Sequence, residues 1–282
     1  DADIILVSGD KPTSEAKSFY AHRTILAAAS PFFRDMFTLP QPARPTNESD
    51  VDINGVPRIR LTETHVVLSL LLHLVYPFPK PKINAETFPL PLFSELLDAA
   101  AKYDLYFPLA FLRSTLISPE AGYITKDPTR VYAVAYRHDL ETEAKEAMRW
   151  VVKTGVDVSS QPLEDEWKYV SAWEYRRLEK WVRETRKRVA DTVTTWFRQQ
   201  LAQLPTCMEC NGSLYQRRDE PKWWLEFKKR MNEAQGVGMG GTDGMFEMSF
   251  LADVVKECGC PRCAGSVMIS AQYLHELKAY ID

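Results

Sequence analysis

Two short cysteine pairs carry the inorganic chemistry of this sequence. Cys207-Met208-Glu209-Cys210-Asn211-Gly212-Ser213 and Cys260-Pro261-Arg262-Cys263-Ala264-Gly265-Ser266 share one form, two cysteines three positions apart, one residue, then Gly-Ser. A C-x-x-C turn lets backbone amides point at the sulfurs while a glycine relieves the tight bend, which presents two thiolates to one side of a tetrahedron. Together Cys207, Cys210, Cys260 and Cys263 would supply four ligands to one structural zinc ion. With all four positions filled by protein no place is left for a reactive water, so the metal would hold helices together and hydrolyse nothing.

Other readings of the cysteines stand beside this one. The roughly 50 residues between the pairs exceed the usual spacing of zinc ribbons, so the helix expected over Pro221 to Ala234 would be an insertion across the site. An odd count of five cysteines argues against a disulfide framework. Cys258 is the spare, and Cys258-Gly259-Cys260 leaves it open as an alternative ligand. Redox work by Cys260-Pro261-Arg262-Cys263 would want a thioredoxin-like βαβ setting, which the sequence lacks. Plain thiols, buried or on the surface, complete the alternatives.

Several further motifs fail on context. Gly236-Val237-Gly238-Met239-Gly240-Gly241 spells G-x-G-x-x-G, but it follows a helical stretch with Trp223, Trp224 and Phe227 rather than a strand, so it reads as a flexible loop. The histidines His22, His65, His73, His138 and His275 show no H-E-x-x-H spacing and accompany no G-x-S-x-G elbow. Trp223-Trp224 reads as core or interface packing before it reads as a stacking platform for bases. Arg183-Glu184-Thr185-Arg186-Lys187-Arg188 is explained by a solvated helix face, since Glu179 and Glu184 interleave with the cations.

The elements that must position these residues follow from periodicity and breakers. A chain of 282 residues, 45% hydrophobic and 26% charged, is long enough for two cores. Its net charge of −3 gives no reason to expect polyanions as partners. The longest apolar run, Val66 to Val75, falls well short of the ~20 residues of a spanning helix. The opening on Asp1 without a methionine suggests a piece of a longer chain. The alternation after Asp3, with Ile4 and Leu6 inward, suits a half-buried strand, and Ser18 to Ala21 suits its hairpin partner. Arg23 to Ala29 and Pro31 to Phe37 read as short helices broken at Ser30-Pro31. Thr64 to Tyr76 reads as an apolar helix capped by Thr62 or Thr64 and ended by Pro77.

Leu96 to Leu105 and Val131 to Leu140 share one pattern, an amphipathic helix closing on an Asp-Leu corner before a second helix. A long helix is expected from about Leu163 to Leu204, with apolar residues mostly three or four apart. Leu39 to Asp50 and Pro77 to Lys82 are proline-rich surface loops.

The run Phe19 to Phe37, with His22-Arg23-Thr24-Ile25-Leu26 and Ser30-Pro31-Phe32-Phe33-Arg34-Asp35-Met36-Phe37, resembles a BTB/POZ domain. The resemblance extends back to Ala2-Asp3-Ile4-Ile5-Leu6-Val7 and forward to Ile59-Arg60-Leu61-Thr62, the family's first and third core strands. The second helical pair, with Glu143 to Ala147, is similar to the helical extension of many fungal BTB proteins. The fold class implied is α+β: a BTB/POZ domain over residues 1–118, a helical hairpin extension over 119–158, and a mostly helical region with the four-cysteine site over 159–282.

The resemblance implies a non-enzymatic scaffold or adaptor that binds other proteins, cytoplasmic or nuclear. His22 is placed by it in the folded core. In dimeric members an acidic residue at the position of Asp3 and a basic one at that of Arg23 form a charged pocket near the partner surface, and both residues are present. Capping of the strand entry and of the next helix explains the two equally well. Members that dimerise exchange an extra strand and helix ahead of the Asp3 position, so a homodimer is expected only of an untruncated chain. Cullin-recruiting members carry a hydrophobic-x-Glu motif after the Met36-Phe37 position, where this sequence has Thr38-Leu39-Pro40-Gln41-Pro42, so a cullin-ligase adaptor stands as the alternative without its motif. A transcriptional or chromatin regulator is the second alternative, and nucleic acid is disfavoured by the acidic balance.

Overall fold

The computed structural model describes residues 2–9, 16–39, 55–200, 220–237 and 244–281. In chain order these form β1 (Ile4–Val7), β2 (Ser18–Ala21), α1 (Arg23–Ala29), α2 (Pro31–Thr38), β3 (Arg58–Arg60), α3 (His65–Val75), α4 (Leu90–Lys102), α5 (Tyr106–Leu116), α6 (Tyr123–Lys126), α7 (Pro128–Arg137), α8 (Glu141–Thr154), α9 (Ala172–Gln200), α10 (Lys222–Val237), α11 (Met248–Cys258), α12 (Pro261–Ile269) and α13 (Ala271–Ile281). The class is α+β, a small mixed sheet within a mostly helical chain. Two compact units divide it, one of residues 1–127 and 134–143, the other of 128–133 and 144–282. No described helix is long and apolar enough to cross a membrane.

In the first unit the sheet runs β2-β1-β3. β1 is antiparallel to β2, with Ile4 opposite Ala21, and parallel to β3, with Leu6 opposite Ile59. The half-buried strand expected at β1 is instead buried along its whole length. Its central position explains this, because a strand covered on both faces takes a continuous apolar run in place of an alternating one. β2 and β3, at the edges, keep exposed residues.

Gly9 follows β1 and donates its N–H to the Glu63 carbonyl at 2.8 Å. A Cβ there would lie 2.5 Å from the Leu61 carbonyl oxygen, so only glycine lets the two backbones approach this closely.

Local capping sets the helices. Ser30 is the N-cap of α2 and accepts from the Phe33 N–H at 3.0 Å, with Pro31 at the first helical position. Thr64, rather than Thr62, caps α3. Tyr103 then ties several elements of this unit together. Its ring stacks on Phe33 with centroids 5.1 Å apart, and its carbonyl accepts from the Ser30 hydroxyl at 2.5 Å. Its own hydroxyl donates to Glu63, which Lys102 also grips at 2.7 Å.

The two Asp-Leu corners are alike in backbone geometry. Asp104 and Asp139 are the only non-glycine described residues with positive φ, 49° and 54°. In each corner the leucine N–H reaches back to an alanine carbonyl at 2.9 Å, Leu105 to Ala100 and Leu140 to Ala135. This is the Schellman arrangement with aspartate where glycine is commoner.

In the second unit the long helix begins later than its periodicity suggests. Residues 165–169 form a 3₁₀ turn and α9 starts at Ala172, because Ser171 takes the N-cap and accepts from the Glu174 N–H at 3.2 Å. The turn aims Trp167 inward against Tyr132 and Tyr175. The residues expected to continue the helix through Leu204 lie outside the described ones beyond Gln200.

The carboxy-terminal core gathers Val193 and Phe197 of α9 with side chains of α10 to α13. Trp224 is fully buried between Phe197, 3.7 Å away and nearly parallel, and Phe227 at 5.0 Å. Trp223 meets Trp224 edge to face. Both tryptophans serve the core, as their helical setting suggests.

Candidate functional site

Asp3 and Arg23 come together, but through the backbone. The Asp3 carboxylate accepts from the Arg23 N–H at 2.7 Å and so caps α1, whose N-cap residue, His22, makes no side-chain cap of its own. The Arg23 guanidinium turns instead over the Phe37 ring, 5.5 Å from its centroid. No ion pair joins the two side chains among the described residues. His22 is half-buried rather than in the core, and the Tyr76 hydroxyl lies 2.9 Å from both its N–H and its Nδ1.

This unit also carries several exposed aromatic side chains. Tyr106 and Phe107, at the start of α5 just past the Asp104 corner, are 73% and 77% exposed, and Tyr20 and Phe78 are also largely in solvent. The Schellman corner fixes where those two aromatics project. Isolated exposed apolar residues need no explanation, whereas two adjacent aromatics on a fixed corner are the material of interface anchors.

Three of the five cysteines fall on described residues. Cys258 ends α11, Gly259 makes the left-handed turn at φ 65°, and Cys260 stands before α12. Cys263 lies in the first turn of α12 with its N–H on the Cys260 carbonyl at 3.0 Å. All three are buried in the carboxy-terminal core. Two thiols three residues apart at a helix start have the spacing of half a four-cysteine metal site. An apolar core accepts neutral thiols equally well. Cys207 and Cys210 lie outside the described residues. No group of three or more potential ligands converges among the described residues alone.

One constellation has no signature in local spacing. Ser94 and Asp98, four apart on α4, face His138 across the first unit: Ser94 Oγ is 3.0 Å from Nε2, and Asp98 Oδ1 is 3.5 Å from Nδ1. The order is that of a hydrolytic triad, but its chemistry is closed off. Ser94 is only 2% exposed, and Arg137 donates to the same Oγ at 3.2 Å. A nucleophile that substrate cannot reach, hydrogen-bonded to a guanidinium, positions helices. Burial holds the His138 imidazole below its ordinary pKa, with Asp98 opposing and Arg137 assisting.

Ion pairs complete each unit. Arg113 grips Glu143 with two bonds of 2.7 and 3.0 Å in the first, and Arg130 grips Glu166 with two of 3.1 and 2.6 Å in the second. Both carboxylates are buried.

The family model for the BTB/POZ domain matches residues 1–107. That span contains the whole sheet, the Asp3 cap, the Tyr103 network and the exposed Tyr106-Phe107 pair. A search of curated proteins finds no match.

Proposed function

We propose that the BTB/POZ domain makes this chain a scaffold or adaptor, binding other proteins through the first unit while the carboxy-terminal helices are clamped by one zinc ion. The observation that carries the first half is the match over residues 1–107, a module whose work is protein–protein interaction. The exposed aromatics on the Asp104 corner support it, since Tyr and Phe supply contact area at low entropic cost. In this reading residues 1–118 are the interaction module, 119–158 a helical extension of the fungal type, and 159–282 the metal-clamped region.

The zinc half rests on the paired C-x-x-C motifs and on the burial of Cys260 and Cys263 at a helix start. Cys207, Cys210, Cys260 and Cys263 would hold the ion, with Cys258 in reserve, and the metal would supply cross-linking and no catalysis.

Capture of partners by the full chain tests the reading. A Tyr106→Ser/Phe107→Ser variant keeps its helix content and loses the captured protein; capture that depends only on the second unit would refute the assignment. A cullin among the captured proteins narrows the role to a ubiquitin-ligase adaptor. Salt-sensitive retention on DNA would instead favour a transcriptional or chromatin regulator.

A further inference from the structure

We propose that the second unit holds a binding site for a small molecule bearing two or more phosphate groups, formed by Arg183, Arg186 and Lys187 of α9 facing the turn at Asp157–Ser159.

Spacing of three and four puts these cations on one helical face. That face and the turn line a half-open cavity of about 470 Å³. Small-ligand sites run from roughly 300 to 1,000 Å³, so the space exceeds what a single phosphate fills.

The turn and Arg186 are anchored before any ligand arrives. Arg186 Nη2 donates to the Val156 carbonyl at 2.8 Å, and the Tyr175 hydroxyl donates to the Val158 carbonyl at 3.1 Å. Inside the turn the Asp157 carboxylate accepts from the Ser159 N–H and hydroxyl at 3.1 and 2.8 Å. Such prior ordering is what lets a charged site bind without a large entropic cost.

Charge selects the ligand class. Four cations and two carboxylates line the cavity. Glu179 is engaged by Arg176 at 3.0 Å, and Asp157 is held by its own turn while facing Arg186. Glu184, beside Arg183 in the chain, turns to Lys180 at 3.9 Å. Arg183 and Lys187 have no such carboxylate among the described residues, so the cavity carries an excess of two positive charges in a chain of net charge −3. Burial also pulls the Arg186 guanidinium below its ordinary pKa, with Asp157 only partly opposing. An entering anion would pair Arg183 and Lys187 beside the already anchored Arg186, and phosphate oxygens match the guanidinium fork. Glu179 and Glu184 interrupt the cations along α9, which favours a compact ligand over the continuous backbone of a nucleic acid.

The test is calorimetric titration of the full chain with inorganic pyrophosphate and with inorganic phosphate. Saturable binding of pyrophosphate is expected, at least about tenfold tighter than of phosphate and weakened at least about tenfold in Arg183→Ala/Lys187→Ala. Both side chains are exposed, so the variant keeps its fold, which circular dichroism verifies. Arg188→Ala, on an exposed residue that does not line the cavity, binds as the unaltered chain does. Absence of saturable pyrophosphate binding, or equal binding by the double variant, overturns the proposal. Tighter binding of an oligonucleotide, lost in the same variant, overturns it in favour of nucleic acid.

Discussion

The hydroxyl of Ser30 donates to the carbonyl oxygen of Tyr103 at 2.5 Å across 73 residues of chain, while its oxygen accepts from the Phe33 N–H at 3.0 Å. One buried oxygen thus starts α2 and fastens it to the corner after α4. Around it Phe33 and Tyr103 stack, and Glu63 and Lys102 close the far side.

Ser30→Ala removes both bonds without leaving a large void. Loss of the cap and of the donor to a buried carbonyl should cost about 2 kcal/mol together. Urea denaturation followed by circular dichroism would show a lowered midpoint at unchanged slope. An unmoved midpoint would mean that water replaces the hydroxyl.

Gly9→Ala should destabilise the first unit although it adds a single methyl. The new Cβ meets backbone, the Leu61 carbonyl oxygen at 2.5 Å, and neither strand can yield without breaking its ladder. A cost of about 1–3 kcal/mol is expected, as for other overpacked sites. Gly55→Ala is a poor control because its φ of 77° is itself strained, so an exposed helical site such as Ala28→Ser serves better.

Acid should weaken the first unit through Glu63. Burial opposes ionisation there, but hydrogen bonds from Lys102 and Tyr103 win and hold the carboxyl below its ordinary value of 4.5. The folded state therefore binds this proton more weakly than the unfolded chain does. Its stabilising contribution is whole above 4.5 and fades as pH falls through the lower folded value. Glu63→Gln should flatten that acid limb, and an unchanged slope below pH 4.5 would refute the assignment.

His138 acts at higher pH, with a related sign. Burial keeps its imidazole neutral, so the unfolded chain takes up a proton near the ordinary 6.5 while the folded chain does not. Stability should fall as pH drops below 6.5 and level off once the folded imidazole is protonated. In His138→Gln that step should vanish while the Glu63 step persists, which separates the two groups by denaturation at a series of pH values.

The proposed clamp should hold about one zinc ion per chain. Cys207→Ser and Cys263→Ser should each abolish it, and a chelator should lower the melting temperature of the second unit while sparing the first. Retention of metal by Cys207→Ser together with its loss in Cys258→Ser would transfer the ligand role to the spare cysteine.

Much of the first unit was legible because its signals are local. Ser30-Pro31 is an N-cap followed by a first-turn proline, and the repeated Asp-Leu pattern is a capping geometry written twice. Such features need only a few consecutive residues. What could not be read depends on distant partners. The full burial of β1 requires knowing that β3 lies beside it in parallel, and the role of Gly9 requires knowing that Leu61 passes overhead. The Ser94–His138–Asp98 cluster joins residues some forty positions apart, which no spacing rule records. At α9 periodicity alone ran past the true start, since Ser171 and the inward turn of Trp167 override it. On the cysteines the sequence still speaks more fully than the described residues do, because two of the four proposed ligands, Cys207 and Cys210, lie outside them.

The division into two compact units has an optical consequence. All seven tryptophans, from Trp150 to Trp224, belong to the second unit, and the first has none. Selective indole excitation therefore watches one half of the molecule while the other stays dark, and Trp224, stacked against Phe197 and Phe227, supplies a fully buried reporter. Emission and amide dichroism recorded on a single sample would reveal whether the halves melt together or in turn.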